Sequence, residues 1–154
     1  MSEPFPVVIA VDEQSAIAID LDRWSTLATE AFRSQGMVAG ECNLLFVDDD
    51  TIHDLNREHM GKDRPTDVLS SPLDGADASH PDDLIGDIVV CPVVAAANAP
   101  NHAGEGHHGG NVDDELALLI VHGVLHLLGH DHQDDAEAAL MEGLEQEILA
   151  LHHR

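Results

Sequence analysis

The chain has 154 residues, the length of one domain with enough chain to bury a core, and its 44% apolar content is that of a globular protein. Thirty acids stand against six bases, a formal net charge of −24, and a field of that sign repels phosphate backbones and anionic membranes, which argues against a general nucleic-acid or membrane-surface binder. Apolar runs such as Leu116–Val121 fall far short of the ~20 residues of a bilayer span, and the N-terminus lacks the basic and apolar regions of a secretory signal, so a cytoplasmic protein is expected.

Residues 7–11 (VVIAV) form a β-branched run and read as a strand. Asp20 or Asp22 then caps an amphipathic helix in which Leu21, Trp24, Leu27, Ala28, Ala31 and Phe32 recur at helical spacing until Gly36. A second strand runs from Cys42 to Val47. The acids Asp48, Asp49 and Asp50 suit the positive end of a helix that begins near Thr51 and carries Ile52, Leu55 and His59. The segment from Gly61 to Thr66 is turn chemistry, and DVLS after it is a short strand that Pro72 stops or places at a sheet edge. An acidic loop follows over residues 73–83. Leu84–Cys91 reads as a strand, with Gly86 marking a bulge or a close backbone approach.

Pro92 suits the first turn of a helix that Pro100 ends. Residues 101–111, rich in Gly and His, have no periodicity and read as a loop. Asp113 and Asp114 are expected to cap the next helix, whose apolar positions from Leu116 to Leu128 run almost all round it; such a helix is buried. Gly129 ends it. Asp134 and Asp135 start a last helix with an apolar stripe of Leu140, Met141, Leu144, Ile148 and Leu151. These elements make a single α+β domain over residues 1–154, a small mixed sheet packed with about five helices. Cys42 and Cys91 lie in apolar runs without CxxC spacing and read as buried free thiols.

Four of the twelve histidines fall between positions 122 and 132, in HGVLHLLGHDH. His122 and His126 are four residues apart on a helix and project from one face, so both imidazoles can reach one ion. After Gly129 the chain turns, and His132 can return as a third ligand. Three nitrogen ligands with a position left open match a catalytic zinc. The competing reading is polar histidines near a helix end, but two polar side chains on a buried apolar helix need a common partner. His130 is an alternative ligand, and Asp131 either orients a ligand imidazole or caps the turn. His107 and His108 read as loop residues, His152 and His153 as a terminal tail. The HExxH helix of zinc peptidases carries a glutamate base after its first histidine. Here that position is Gly123, which has no proton acceptor and fits a close approach of backbone or substrate instead.

On the strength of this motif and the segments around it, the sequence resembles the YbeY family of bacterial metal-dependent endoribonucleases. The matching segments are HGVLHLLGHDH, LNREHMGKDRPTDVLSSP from Leu55 to Pro72, LIGDIVVC and the terminal EAALMEGLEQEIL, in the same order over roughly residues 44–149. The resemblance implies an α+β fold and one zinc ion per chain held by His122, His126 and His132. It also implies a single-stranded RNA substrate, a role at the 3′ end of small-subunit ribosomal RNA and in ribosome quality control, and contacts with the small subunit and its assembly factors. Two positions depart from the family pattern. Ser71 stands where a phenylalanine is common, and Met60 stands where the family carries an arginine associated with RNA cleavage; Arg57, one helical turn earlier, is the candidate substitute.

Arg57, Lys62 and Arg64 are three of the six basic residues and fall within eight positions. On so acidic a background that strip is the candidate phosphate-binding surface, unless its members only pair with Asp54, Glu58 and Asp63. The leading expectation is a zinc-dependent, single-strand-specific endoribonuclease. The alternatives are a ribosome assembly factor with a bound metal and little or no catalysis, and a zinc peptidase.

Overall fold

The computed structural model describes residues 6–60, 66–106, 108–131 and 134–153, with the side chains of His59 and Met60 excepted. Strand β1 (Val7–Asp12) leads to helix α1 (Leu21–Ser34), which returns the chain to strand β2 (Glu41–Phe46), parallel to β1. The Asp20 carboxylate caps α1 by accepting from the Arg23 N–H at 3.2 Å. The helical spacing seen in the sequence becomes a single buried face of Trp24, Leu27, Ala28, Ala31 and Phe32. Strand β2 alternates cleanly: Cys42, Leu44 and Phe46 are buried on the side of α1, while Asn43 and Leu45 point the other way.

Helix α2 (Asp49–Met60) starts two residues before the expected Thr51, with the Asp48 carboxylate accepting from the Thr51 N–H at 2.8 Å. Those hydrogen bonds from Thr51 hold the Asp48 carboxyl below its usual range. Strand β3 (Val68–Pro72) lies at the sheet edge, where Pro72 costs no ladder bond, and pairs antiparallel with β4 (Leu84–Val90). The order is β1-β2-β4-β3, with β4 parallel to β2. The acidic segment between β3 and β4 contains a 3-10 turn at Gly75–Asp77. Gly86 meets both sequence expectations. The β2–β4 register shifts there, and a Cβ on Gly86 would lie 2.6 Å from the Ser71 carbonyl oxygen.

Two helices, α4 (Val112–Leu127) and α5 (Asp135–His152), complete the main layer with α1. Helix α4 is the centre of the protein. Ten of its sixteen residues are buried, and at roughly 1.5–3 kcal/mol for each fully buried Leu, Ile or Val its side chains anchor the fold. Gly123 lets it sit directly on the sheet, because a Cβ there would be 3.0 Å from Cγ2 of Ile88. The close approach foreseen at this glycine is thus made by a strand side chain, neither by backbone nor by substrate. At its end the Gly129 N–H donates to the His126 carbonyl and the His130 N–H to the Leu125 carbonyl, with Gly129 at φ 96°. This paired closure is the Schellman cap that glycine permits.

On the opposite face of the sheet, Ile52 of α2 and Val93 and Val94 of α3 (Pro92–Asn98) cover Leu45, Val89 and Leu69, with Cys91 at the start of α3. Cys42 and Cys91 are buried free thiols, and burial together with the charge of Asp87 pushes the Cys42 thiol up to about 12.

Four local expectations are corrected. Helix α4 is capped by Asn111, whose side chain accepts from the Asp114 N–H at 2.8 Å, because the helix begins a residue before Asp113. Leu140 and Leu151 are exposed, so the buried face of α5 is Met141, Ile148 and Leu149, with Glu145 among them. Residues 99–102 continue from α3 as a 3-10 turn rather than starting a shapeless loop. The His153 side chain is only 8% exposed: its Nε2 lies 2.7 Å from the Asp114 carboxylate and its ring 6.1 Å from that of Trp24, so it closes the helical layer instead of fraying. The turn expected at Gly61–Thr66 lies outside the described residues except for Thr66.

Candidate metal centre and cavity

Beyond its capped first turn, the apolar helix α4 carries polar side chains at Glu115, His122 and His126, which are separated by seven and four residues, two turns and one turn, and so share a face of the helix. His122 Nδ1 lies 3.4 Å from the Glu145 carboxylate of α5, and Glu145 is itself buried. His126 Nδ1 lies 2.8 Å from Ser70 Oγ of β3. Each imidazole is therefore held through its inner nitrogen by a polar side chain from a different element, and Nε2 is the nitrogen on the far edge of the ring. A metal-ligating histidine is oriented in this way, the second nitrogen engaged so that tautomer and ring plane are set. Two of the three expected ligands, His122 and His126, thus share a helix face with a polar partner behind each; His132 lies outside the described residues.

Two turns before His122, a second polar cluster surrounds Glu115. His102 Nδ1 and His108 Nε2 stand 2.7 and 2.8 Å from Glu115 Oε1. The three donor atoms lie within 4.8 Å of one another, close enough to hold a cation. The Gly110 N–H donates to His108 Nδ1 at 2.9 Å; with that nitrogen accepting, a neutral His108 ring carries its proton on Nε2 and donates it to Glu115. The hydrogen bond to Glu115 raises the pKa of His102 above its usual value, ahead of the opposing effect of burial. Glu115 is fully buried, and its Oε2 has no hydrogen-bond partner among the described residues. None of the three reads as a metal ligand in the sequence, where His108 reads as a loop residue. The usable signal was Glu115, two helical turns before His122 on the same face; nothing in the sequence tied His102 and His108 to it.

A cavity of about 560 Å³ joins these groups, lined by His122, His102 and His108 and by the carboxylates of Asp67, Glu105, Asp114, Glu142 and Glu145. Burial works against ionisation of Asp114, but hydrogen bonds from His153 and the Gly109 N–H outweigh it, and the carboxyl titrates below its usual range.

The family model described as Endoribonuclease YbeY matches residues 9–153. The chain belongs to the YbeY family. Proteins named Endoribonuclease YbeY from Salinispora tropica and Pelotomaculum thermopropionicum are 39% and 38% identical to it. The alignments cover 92% and 94% of this chain and 94% and 95% of theirs. A third so named, from Leifsonia xyli subsp. xyli, is 39% identical over 92% of both chains. The solution structure of a Thermotoga maritima protein shares the fold, with a TM-score of 0.60 at 24% identity over 94% of this chain and 90% of that one.

Of the positions where this YbeY chain departs from the pattern, Ser71 is exposed on β3 opposite Asp87, and the side chain of Met60 lies outside the described residues. Arg57, the candidate substitute, is exposed on α2 with its guanidinium 2.9 Å from Asp54. Lys62 and Arg64 lie outside the described residues, as does His107. The described arginines all pair with carboxylates: Arg23 with Asp113, Arg33 with Glu30, Arg57 with Asp54. His130 and Asp131, half-buried, line a shallow cleft with Glu137. No helix among the described residues is long and apolar enough to cross a membrane.

Proposed function

We propose that this chain is a zinc-dependent endoribonuclease specific for single-stranded RNA. In this reading it acts in the cytoplasm on the 3′ end of small-subunit ribosomal RNA and in ribosome quality control, with the small subunit and its assembly factors as partners. One zinc ion would be held by His122, His126 and His132. The observation that carries the reading is the pair His122 and His126, one turn apart on one face of a buried helix beside a cavity, in a chain whose relatives are named endoribonucleases.

When bound, the ion supplies Lewis-acid charge where negative charge develops on the phosphoryl group. The chain's own contribution is selection and orientation. The carboxylates of the cavity repel RNA that does not engage the ion. Arg57, Lys62 and Arg64 form the strip that receives a neighbouring phosphate, and Arg57 must exchange Asp54 for that phosphate to do so. Peptidase chemistry is not supported, because Gly123 packs on Ile88 and supplies no base. The Arg57–Asp54 pair favours one second reading, an assembly factor that binds metal and RNA without cleaving.

The test is cleavage of single-stranded RNA by nuclease-free wild type, His126→Ala and Arg57→Ala. Wild type should cleave, His126→Ala should not, and Arg57→Ala should cleave more slowly. Cleavage by His126→Ala at the wild-type rate refutes the reading, and zinc binding without cleavage by wild type establishes the second one.

A further inference from the structure

Two of the segments that mark this chain, DVLS and GLEQE, have no role in the reading so far. Both end on the metal histidines. Ser70 comes from edge strand β3 and meets His126 Nδ1 at 2.8 Å; Glu145 comes from α5 and meets His122 Nδ1 at 3.4 Å. We propose that Ser70 and Glu145 are the positioning residues of the zinc site, each fixing the tautomer and ring orientation of one ligand histidine. This rests on the reading of His122 and His126 as ligands.

The chemistry requires an asymmetric ring. A neutral imidazole carries one N–H, and only the other nitrogen offers a lone pair to a metal. Glu145, as a carboxylate, only accepts, so the His122 proton is drawn to Nδ1 and the lone pair is left on Nε2. With Nε2 turned to the ion, His126 carries its proton on Nδ1 and Ser70 Oγ accepts from that N–H at 2.8 Å. Burial strengthens the arrangement, because Glu145 is 6% exposed and an alternative partner from solvent is scarce. The two partners also differ in kind: a carboxylate only accepts and so admits one tautomer of its histidine, while a hydroxyl both donates and accepts and contributes orientation.

The sheet topology accounts for the arrangement. Ser70 is brought beside His126 only because β3 pairs with β4 in the register that sets Ser70 opposite Ile88, the residue on which Gly123 of α4 rests. The strand, the helix and the ligand pair are thus indexed to one another through a single strand position.

Zinc affinity, measured by competition with a chromophoric chelator, tests this in the full-length chain. Removing such an outer partner typically costs 10–100-fold in metal affinity, so Ser70→Ala and Glu145→Gln should each weaken zinc binding by roughly tenfold or more. Ser70→Thr, which keeps the hydroxyl, should bind within about threefold of wild type, a rescue that a packing role would not predict. The weakening in Ser70→Ala should appear with the thermal unfolding of the zinc-free protein unchanged. Wild-type affinity in both Ser70→Ala and Glu145→Gln overturns the inference while leaving the ligand assignment intact. Zinc binding by wild type that survives His126→Ala overturns the ligand assignment itself, and the inference with it.

Discussion

Gly123→Ala adds one methyl group at the point where α4 rests on the sheet, and its effect follows from the distances there. The new Cβ would stand 3.0, 3.3 and 3.4 Å from Cγ2, Cδ1 and Cγ1 of Ile88, a residue that is fully buried on β4. Carbon atoms prefer about 3.5–4.0 Å, so helix or strand must give by several tenths of an ångström. Overpacking of this size costs about 1–3 kcal/mol, while Ala in place of Gly in a helix interior returns up to about 1 kcal/mol. The expected net loss is about 1–2 kcal/mol, which at ~2–4 °C per kcal/mol for a chain of this length lowers Tm by roughly 2–8 °C. The decisive assay is a double-mutant cycle by urea unfolding. Ile88→Ala alone costs about 2–5 kcal/mol but removes every atom in the clash, so in that background Gly123→Ala should be neutral or stabilising by up to about 1 kcal/mol. If Gly123→Ala stabilises the otherwise wild-type chain, or costs the same in both backgrounds, the contact with Ile88 is not what places glycine beside His122.

Gly86→Ala should be more severe, because the nearest atom to the added Cβ is the Ser71 carbonyl oxygen at 2.6 Å and Leu127 Cδ2 follows at 2.8 Å. We expect a loss of about 3 kcal/mol in urea unfolding, together with weaker zinc binding as β3 and its Ser70 shift; a variant as stable as wild type would show that the edge strand yields freely. Asp114 titrates below its usual range in the folded chain, so its stabilising contribution is complete above the unfolded value near 3.8 and is lost as pH falls through the folded value. Wild type should therefore exceed Asp114→Asn in stability by a constant margin above about pH 5, with the margin closing on further acidification. A margin that widened in acid would contradict the His153 and Gly109 hydrogen bonds to Asp114 as its source.

The parts of this protein that could be read along the chain are those governed by local periodicity. Trp24 to Phe32 announce the buried face of α1, Cys42 to Phe46 the alternating strand, and the four-residue spacing of His122 and His126 their common face. Each depends on helix or strand geometry and on nothing distant. The resemblance carried by HGVLHLLGHDH and DVLSSP was equally local, and it led to the correct family. What stayed hidden depends on contacts between residues far apart in the chain. Glu145 looks like one more exposed acid of an acidic helix until α5 packs on α4 and buries it beside His122. His153 looks like tail until Asp114 takes its Nε2. His102 and His108 look like loop until Glu115, inside an apolar helix, calls for donors to offset its burial. Sequence alone therefore determined that His122 and His126 share one face of a single helix. Tertiary packing decided which polar side chains stand behind them, because a hydrogen bond selects its partner by distance in space, across as many as 56 positions for Ser70 and His126.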